Sequence, residues 1–277
     1  MKILIPTDFS QLSKIAIQYV LDLSKVFELD MVLLHAVNTF TPTMARVGSK
    51  KLGEAIKSSS EQEMNELLKT IKNENSHNFK ISTKIIFGAS IEEAVETFAL
   101  KNNVDMICIG TKGATGLKKI IFGSNAVGII SNSSIPVLTI PEYARYKGVN
   151  NILYSSDLEN LEEELKLLIS FAKLMNTWIN ILHINKESVD FDFEENLQGQ
   201  ENRLRTLFSY KKIRTKELEN DSIINGINQY VSDIDADIIA MFTRSTSNSL
   251  IEKLFNKSVT QEAAFQTKIP LLTFQKE

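Results

Sequence analysis

Three glycines and a serine near the middle of the chain have the residue types and the spacing of a phosphate-binding loop. The pattern is Gly110-x2-Gly113-x9-Gly123-Ser124, and it follows the apolar run Val104–Ile109, which is typical of a buried strand. Glycine permits positive φ angles and close approach of the backbone, so bare N–H groups at a strand-to-helix junction can surround an anion. Ser124 adds a hydroxyl group. These residues predict a phosphate cradle, and a nucleotide is the expected ligand.

The same glycines could serve only to make turns, and for an isolated three-glycine pattern the two interpretations weigh about equally. Their place favours a ligand, because open α/β sheets bind ligands beyond the carboxyl ends of their strands. The second half of the chain offers a comparison, since its corresponding segment has no glycine between Phe242 and Ser258. If the glycines served only the fold, both halves should need them. This difference favours a ligand role for Gly110, Gly113 and Gly123.

The elements that must position this loop occur twice along the 277-residue chain. The first half opens with Lys2–Asp8 and the second with Asn151–Asp157, each a short apolar strand followed by a hydroxyl residue and an aspartate. Helical and strand patterns then alternate in both halves, so each half has the pattern βαβαβαβαβ. Such alternation predicts a parallel sheet with helices on both faces. We expect domain 1 over residues 1–142 and domain 2 over residues 149–277.

Composition and charge exclude several classes of protein. A net charge of −3 gives no general attraction to nucleic acid or to a membrane surface. No apolar stretch reaches the roughly 18 residues of a membrane-spanning helix, and the N-terminus lacks the features of a signal peptide. The single cysteine, Cys108, excludes an internal disulfide, and the three histidines form no cluster with metal-ligand spacing. We expect a cytoplasmic protein without a metal site of its own.

Together these features resemble the universal stress protein family in its tandem two-domain form. The resemblance rests on Pro6-Thr7-Asp8-Phe9-Ser10 after the first strand, on Leu33-Leu34-His35-Ala36 at the end of the second strand, and on the glycine motif. It covers essentially the whole chain, although the second half resembles the family by its strand pattern alone. It implies two Rossmann-like, doubly wound domains, each with a five-stranded parallel sheet in the order 3-2-1-4-5. It also implies that the two domains pair through their last strands as an intramolecular pseudo-dimer, with a homodimer of chains as a further expectation.

Family members that carry the glycine motif generally bind ATP, so the resemblance implies ATP with Mg²⁺ in domain 1 and a degenerate site in domain 2. Carried over residue by residue, Asp8 would hydrogen-bond the adenine or ribose region beside Pro6 and Thr7, and Ala36 would contact the base through its backbone. The residues around the phosphates would be Gly110, Lys112, Gly113, Gly123, Ser124 and Asn125.

Two of the conspicuous side chains have a structural alternative. Asp8 could instead cap the helix that follows, a role for which Ser10 competes, and the residue type is equally compatible with capping and with ligand contact. The recurrence of Asp157 in the half without the glycine loop favours the cap. His35 and His183 also recur in both halves, which favours packing or hydrogen bonding over catalysis.

No catalytic set accompanies the predicted cradle. The sequence has no Walker A pattern and no recognisable combination of nucleophile and base, so we assign no catalytic residues and expect at most weak ATP hydrolysis. The sequence therefore predicts an ATP-binding regulatory protein of the stress response. Two alternatives stay open, namely a nucleotide-independent protein-interaction module and a slow ATP hydrolase.

Overall fold

The computed structural model describes residues 1–37, 49–111, 124–185, 192–243 and 268–275. The chain divides into two compact units, and among the described residues unit 1 ends at Glu142 and unit 2 begins at Tyr143. Within these residues no helix combines the length and the apolar character needed to cross a membrane.

Unit 1 alternates strands with helices along the chain. Its elements are β1 (Lys2–Pro6), α1 (Gln11–Leu23), β2 (Asp30–Val37), α2 (Ser49–Glu74), β3 (Lys80–Phe87), α3 (Ile91–Lys101), β4 (Met106–Thr111), α4 (Ser124–Asn132) and β5 (Val137–Pro141). The strands are parallel and lie in the order β3-β2-β1-β4-β5, which confirms the predicted order. Central strands β1 and β4 are buried on both faces, as expected for a parallel sheet covered by helices on each side.

Unit 2 repeats this plan. Its elements are β6 (Asn151–Ser155), α5 (Leu161–Met175), β7 (Trp178–Asn185), α6 (Asp192–Leu207), β8 (Ile213–Glu219), α7 (Ile223–Asp233), β9 (Ile238–Thr243) and β10 (Leu271–Gln275). The strands are again parallel, in the order β8-β7-β6-β9-β10. The predicted helix before the last strand falls outside the described residues.

Strands β4 and β9 each begin two residues later than the sequence predicts from the apolar runs Val104–Ile109 and Ala236–Phe242. Val104 is buried, but its N–H donates to Ala99 at 3.0 Å and so completes the end of α3 rather than joining the sheet. Ala236 makes the same contact with Val231 at the end of α7, also at 3.0 Å. Apolar character therefore marks burial at these positions, whereas the hydrogen-bond partner decides where the strand starts.

Candidate functional site

Several of the predicted site residues of unit 1 lie where three neighbouring strands end. Pro6 ends β1, Ala36 lies one residue before the end of β2, and Gly110 lies one residue before the end of β4. Strand β1 pairs with both β2 and β4, and parallel neighbours end at the same edge of a sheet. The structure therefore brings Pro6, Thr7, Asp8, Ala36 and Gly110 to one edge of unit 1, here called the carboxyl edge. Open α/β sheets bind their ligands at this edge.

Ser124 and Asn125 are the first described residues of α4, and both are exposed. Helix α4 packs closely on α3 at Gly128, where an added Cβ would lie 2.8 Å from the Cγ of Glu92. Glu92 belongs to the first turn of α3, just beyond the carboxyl end of β3. This contact holds α4 beside the carboxyl-edge side of unit 1. The other predicted phosphate-binding residues, Lys112, Gly113 and Gly123, lie outside the described residues.

Side chains of the connection between β1 and α1 hold it in a fixed turn. The N-cap of α1 is Ser10, whose hydroxyl accepts the N–H of Ser13 at 3.3 Å. Asp8 Oδ1 accepts the N–H of Ser10 at 3.1 Å, and Thr7 Oγ1 accepts the N–H of Phe9 at 3.0 Å. The capping role considered for Asp8 therefore belongs to Ser10, while Asp8 forms the turn that precedes the cap. The Asp8 side chain stays exposed at the carboxyl edge.

The Asp8 carboxylate is held in its ionised form. Partial burial raises its pKa, but hydrogen bonds, chiefly those from Ser10, outweigh this effect and lower the pKa below the ordinary 3.8. An ionised carboxylate only accepts hydrogen bonds. It therefore suits a ligand that presents hydroxyl or amino donors, as a ribose or an adenine does.

His35 ties the end of β2 to this turn. The Thr7 N–H donates to Leu34 at 2.8 Å, and His35 Nδ1 lies 2.8 Å from the Thr7 carbonyl oxygen. Since a carbonyl oxygen only accepts, Nδ1 must carry the hydrogen. The ring of Phe9, a residue with φ of 63°, packs on His35 with centroids 4.5 Å apart. These contacts hold Thr7 beside Leu34 and His35 near the end of β2 and give His35 the hydrogen-bonding role that its recurrence predicted.

Ser13 supports the same turn and was not identified from the sequence. Its hydroxyl donates to the Ser10 carbonyl at 3.0 Å and therefore accepts from Thr7 Oγ1, also at 3.0 Å. Ser13 is buried together with Ala16 and Ile17 on the inner face of α1. A serine at an apolar position of a predicted helix was the signal available in the sequence, because a buried hydroxyl requires a partner.

Unit 2 reproduces the turn almost bond for bond. The Ser156 N–H donates to Leu182 at 3.0 Å, and His183 Nδ1 lies 3.1 Å from the Ser156 carbonyl oxygen. Asp157 Oδ1 accepts the N–H of Glu159 at 3.0 Å. The turn is thus a property of the repeated fold and forms in the half that lacks the glycine motif. By itself it does not distinguish a ligand site from a structural turn.

Gly110 has a packing role that the sequence comparison did not reveal. A Cβ atom at this position would lie 2.1 Å from the Leu12 carbonyl oxygen and 2.6 Å from its carbonyl carbon. The first turn of α1 therefore rests directly on the backbone of β4, which only glycine permits. As a result, the absence of glycine in the second half does not separate packing from ligand binding at Gly110.

Unit 2 carries an aromatic cluster where unit 1 has this bare backbone. Phe242 pairs with β10 at the register position that Gly110 has with β5. Its ring stacks on Phe274 with centroids 4.8 Å apart and lies edge-on to Tyr154 at 5.5 Å. The Tyr154 hydroxyl donates to the buried carboxylate of Glu164 in the first turn of α5, and burial raises the pKa of Tyr154 well above its ordinary value. Loss of glycine in the second half thus accompanies a rebuilt packing arrangement.

The strand order and the alternation of strands with helices define unit 1 as an α/β domain of the doubly wound class. The universal stress protein family matches residues 1–141. The universal stress protein MJ0531 of Methanocaldococcus jannaschii is 34% identical over 142 residues, which span 50% of this chain and 81% of that protein. The universal stress protein MJ0577 of the same organism is 32% identical over 152 residues, spanning 50% and 93%. The chain belongs to the universal stress protein family.

Solved structures extend the likeness of fold to the whole chain. The superposition on a universal stress protein from Archaeoglobus fulgidus DSM 4304 covers 100% of this chain and 98% of that protein, with a TM-score of 0.76 and 19% identity. A putative universal stress protein from Pseudomonas aeruginosa UCBPP-PA14 covers 99% and 92%, with a TM-score of 0.60 and 13% identity. At these identities the likeness concerns the fold alone. It confirms the predicted fold class, and a tandem arrangement of two such domains fits the length of the chain.

Proposed function

We propose that unit 1 binds an adenine nucleotide, ATP with Mg²⁺, at its carboxyl edge, and that the chain is an ATP-binding regulatory protein of the stress response. The observation that carries the proposal is the convergence of Asp8, Ala36 and Gly110 on one edge of the sheet. They offer an ionised acceptor, backbone groups beside a base and, at Gly110, the first glycine of the predicted phosphate-binding loop. These are the three kinds of contact that a nucleotide requires. Membership of the family supports the same ligand.

In the proposed complex, Asp8 accepts a hydrogen bond from the ribose or the base beside Pro6 and Thr7. The backbone of Ala36 contacts the base. The phosphates are surrounded by Gly110, Lys112, Gly113, Gly123, Ser124 and Asn125. Among the described residues no group of three or more His, Cys, Asp or Glu could hold a metal ion, so the proposal assigns Mg²⁺ to the phosphates of the ligand.

Paired aspartate variants test the proposal in the full chain. Asp8→Ala and Asp157→Ala each remove one turn hydrogen bond of nearly equal length, 3.1 Å in unit 1 and 3.0 Å in unit 2. Their cost in stability should therefore be similar. We expect isothermal titration with Mg-ATP to show binding at least about tenfold weaker for Asp8→Ala, as befits a lost charge-assisted hydrogen bond. Asp157→Ala should bind as the wild type does. Equal affinities of the two variants would contradict the proposed site.

One observation favours the nucleotide-independent interaction module as the second candidate. The turn around Asp157 forms without a glycine motif, so neither turn needs a nucleotide to hold its shape. That candidate predicts that the wild-type chain binds no nucleotide at all. A slow hydrolase would instead turn over Mg-ATP at a rate that Gly113→Val abolishes, whereas a regulatory binder retains the bound ATP.

A further inference from the structure

Side chains of α6 close the outer edge of unit 2. Asn220, just after β8, donates its N–H to the last residue of β7 at 2.9 Å. Along a parallel strand, successive residues direct their N–H and C=O groups alternately to one side and to the other. Since Asn220 faces β7, Ile213 and Thr215 direct their backbone groups away from β7. Arg205 donates to the Ile213 carbonyl at 2.7 and 2.9 Å, and Glu201 accepts the Thr215 N–H at 2.9 Å. The two α6 side chains are also ion-paired at 2.7 Å, so a fixed pair occupies this edge.

The corresponding edge of unit 1, formed by β3, carries no such pair of side chains among the described residues. Gly88, just after β3, donates its N–H to the last residue of β2 at 3.0 Å, so the same alternation directs Ile81, Thr83 and Ile85 outward. In the described part of unit 1, no side chain hydrogen-bonds to the outward backbone groups of these three residues. Thr83 and its two neighbours in β3 are exposed. Free backbone groups on an accessible edge strand are a template for pairing with another strand.

The charges along β3 favour one kind of occupant. Lys80 and Lys84 are exposed and lie on the same face of the strand, since side chains alternate between faces. At the start of β3, a groove of ≈ 500 Å³ has both Lys72 and Lys80 in its lining, and the only acidic residue among its lining residues is Asp30. Pairing with the β3 of a second copy would bring lysines together. Carboxylates at alternate positions of an added strand would instead lie opposite these lysines.

We propose that the outer edge of β3 is a docking site for an extended acidic segment of a partner protein. The segment adds a strand to the sheet of unit 1, so the outward backbone groups of Ile81, Thr83 and Ile85 supply most of the affinity. Alternating carboxylates facing Lys80 and Lys84 supply the selectivity. The edge of β8 takes no such segment, because Arg205 and Glu201 already bond the outward Ile213 carbonyl and the outward Thr215 N–H. This site is separate from the carboxyl edge and does not depend on nucleotide binding.

A backbone variant tests the strand pairing directly. Thr83→Pro removes an outward N–H that takes no part in the β2–β3 ladder, and edge strands tolerate proline at such positions. The probe is a fluorescently labelled peptide of alternating glutamate and valine, titrated into the full chain. We expect binding by the wild type and a loss of at least about tenfold in Thr83→Pro, because one backbone bond is lost and the proline ring obstructs the added strand. No binding by the wild type, or unchanged binding by Thr83→Pro, would overturn the proposal.

Charge variants and amide exchange separate strand pairing from general attraction between opposite charges. Lys84→Glu should weaken binding of the acidic peptide, whereas Lys216→Glu, the matched substitution in β8, should not. The double variant Lys80→Glu, Lys84→Glu should bind a peptide of alternating lysine and valine instead. Bound peptide should slow hydrogen exchange at the Thr83 amide. Protection of β8 amides instead, or self-association of the chain that Thr83→Pro abolishes, would show a different occupant and refute the acidic partner.

Discussion

Replacing Gly110 by alanine tests how closely α1 lies on β4. The added Cβ would lie 2.1 Å from the Leu12 carbonyl oxygen, roughly 1.3 Å short of the 3.4 Å at which ordinary contacts begin. Both groups belong to the backbone, so no change of rotamer can relieve the clash. Overpacking of this kind costs about 1–3 kcal/mol and occasionally more. We expect Gly110→Ala to reduce the free energy of unfolding of unit 1 by about 3 kcal/mol.

The assay must report on unit 1 alone. Native-state hydrogen exchange at the amides of β1 and β4 measures the opening free energy of that sheet. The single tryptophan, Trp178, lies in β7, so its fluorescence during urea unfolding follows unit 2 as an internal reference. The matched control is Gly53→Ala in α2, where an added Cβ meets no atom within 4 Å. Better helix propensity should stabilise that variant by up to about 1 kcal/mol.

A small effect would refute the packing role of Gly110. If Gly110→Ala lowers the opening free energy of β1 and β4 by less than about 1 kcal/mol, α1 does not rest on the β4 backbone as described. Nucleotide affinity would then be the only property left to explain the glycine. A large loss of stability in protein that is still folded and still binds nucleotide would assign Gly110 to packing alone.

Three further predictions concern the turn and the aromatic cluster. His35→Leu should lower nucleotide affinity in calorimetric titration, whereas His35→Asn, which keeps a donor near Nδ1, should restore it. The matched variant His183→Leu should lose about 0.5–1.5 kcal/mol of stability without affecting affinity. Because the pKa of Asp8 is lowered in the fold, its ionised form stabilises the protein above the ordinary pKa of 3.8, and this contribution is lost as pH falls through the folded value. Asp8→Asn should remove this contribution to the acid sensitivity of the melting temperature. Tyr154→Phe removes the hydrogen bond from the tyrosine hydroxyl to the buried Glu164 carboxylate and should cost unit 2 about 1–3 kcal/mol, measured by Trp178 fluorescence in urea. Since the pKa of Tyr154 is raised in the fold, wild-type unit 2 should also lose stability as pH rises above 10.0. The loss should be smaller in the variant but not absent, because burial also raises the pKa values of Tyr210 and Tyr230.

Much of the fold could be predicted because the same alternation of apolar strand patterns and helical patterns occurs in both halves of the chain. The sequence predicts the third strand over Lys80–Phe87, and β3 has these bounds in the structure, since a polar connection precedes the strand and Gly88 follows it. The predicted start of β4 is too early because Val104 is apolar and buried, yet its N–H bonds to the end of α3 and not to the sheet. A pattern of burial carries no information on which backbone group pairs with which.

The candidate site was predictable in place but not in detail. Strand ends and polar residues located Asp8, Ala36 and Gly110 at one edge, because parallel strands end together. The division of roles between Asp8 and Ser10 depends on the course of the backbone through Phe9 at positive φ, which an aromatic residue seldom adopts. The contact of Gly110 with α1 left no pattern in the sequence, because a glycine carries no side chain that reveals its neighbours.

Ligand released from the purified full chain tests the central claim most directly. Freshly purified wild type and Gly123→Val are denatured, and the released small molecules are identified by mass spectrometry. Our account predicts an adenine nucleotide from the wild type and its loss from the variant. Absence of nucleotide from the wild type, together with no thermal shift on addition of Mg-ATP, would contradict it.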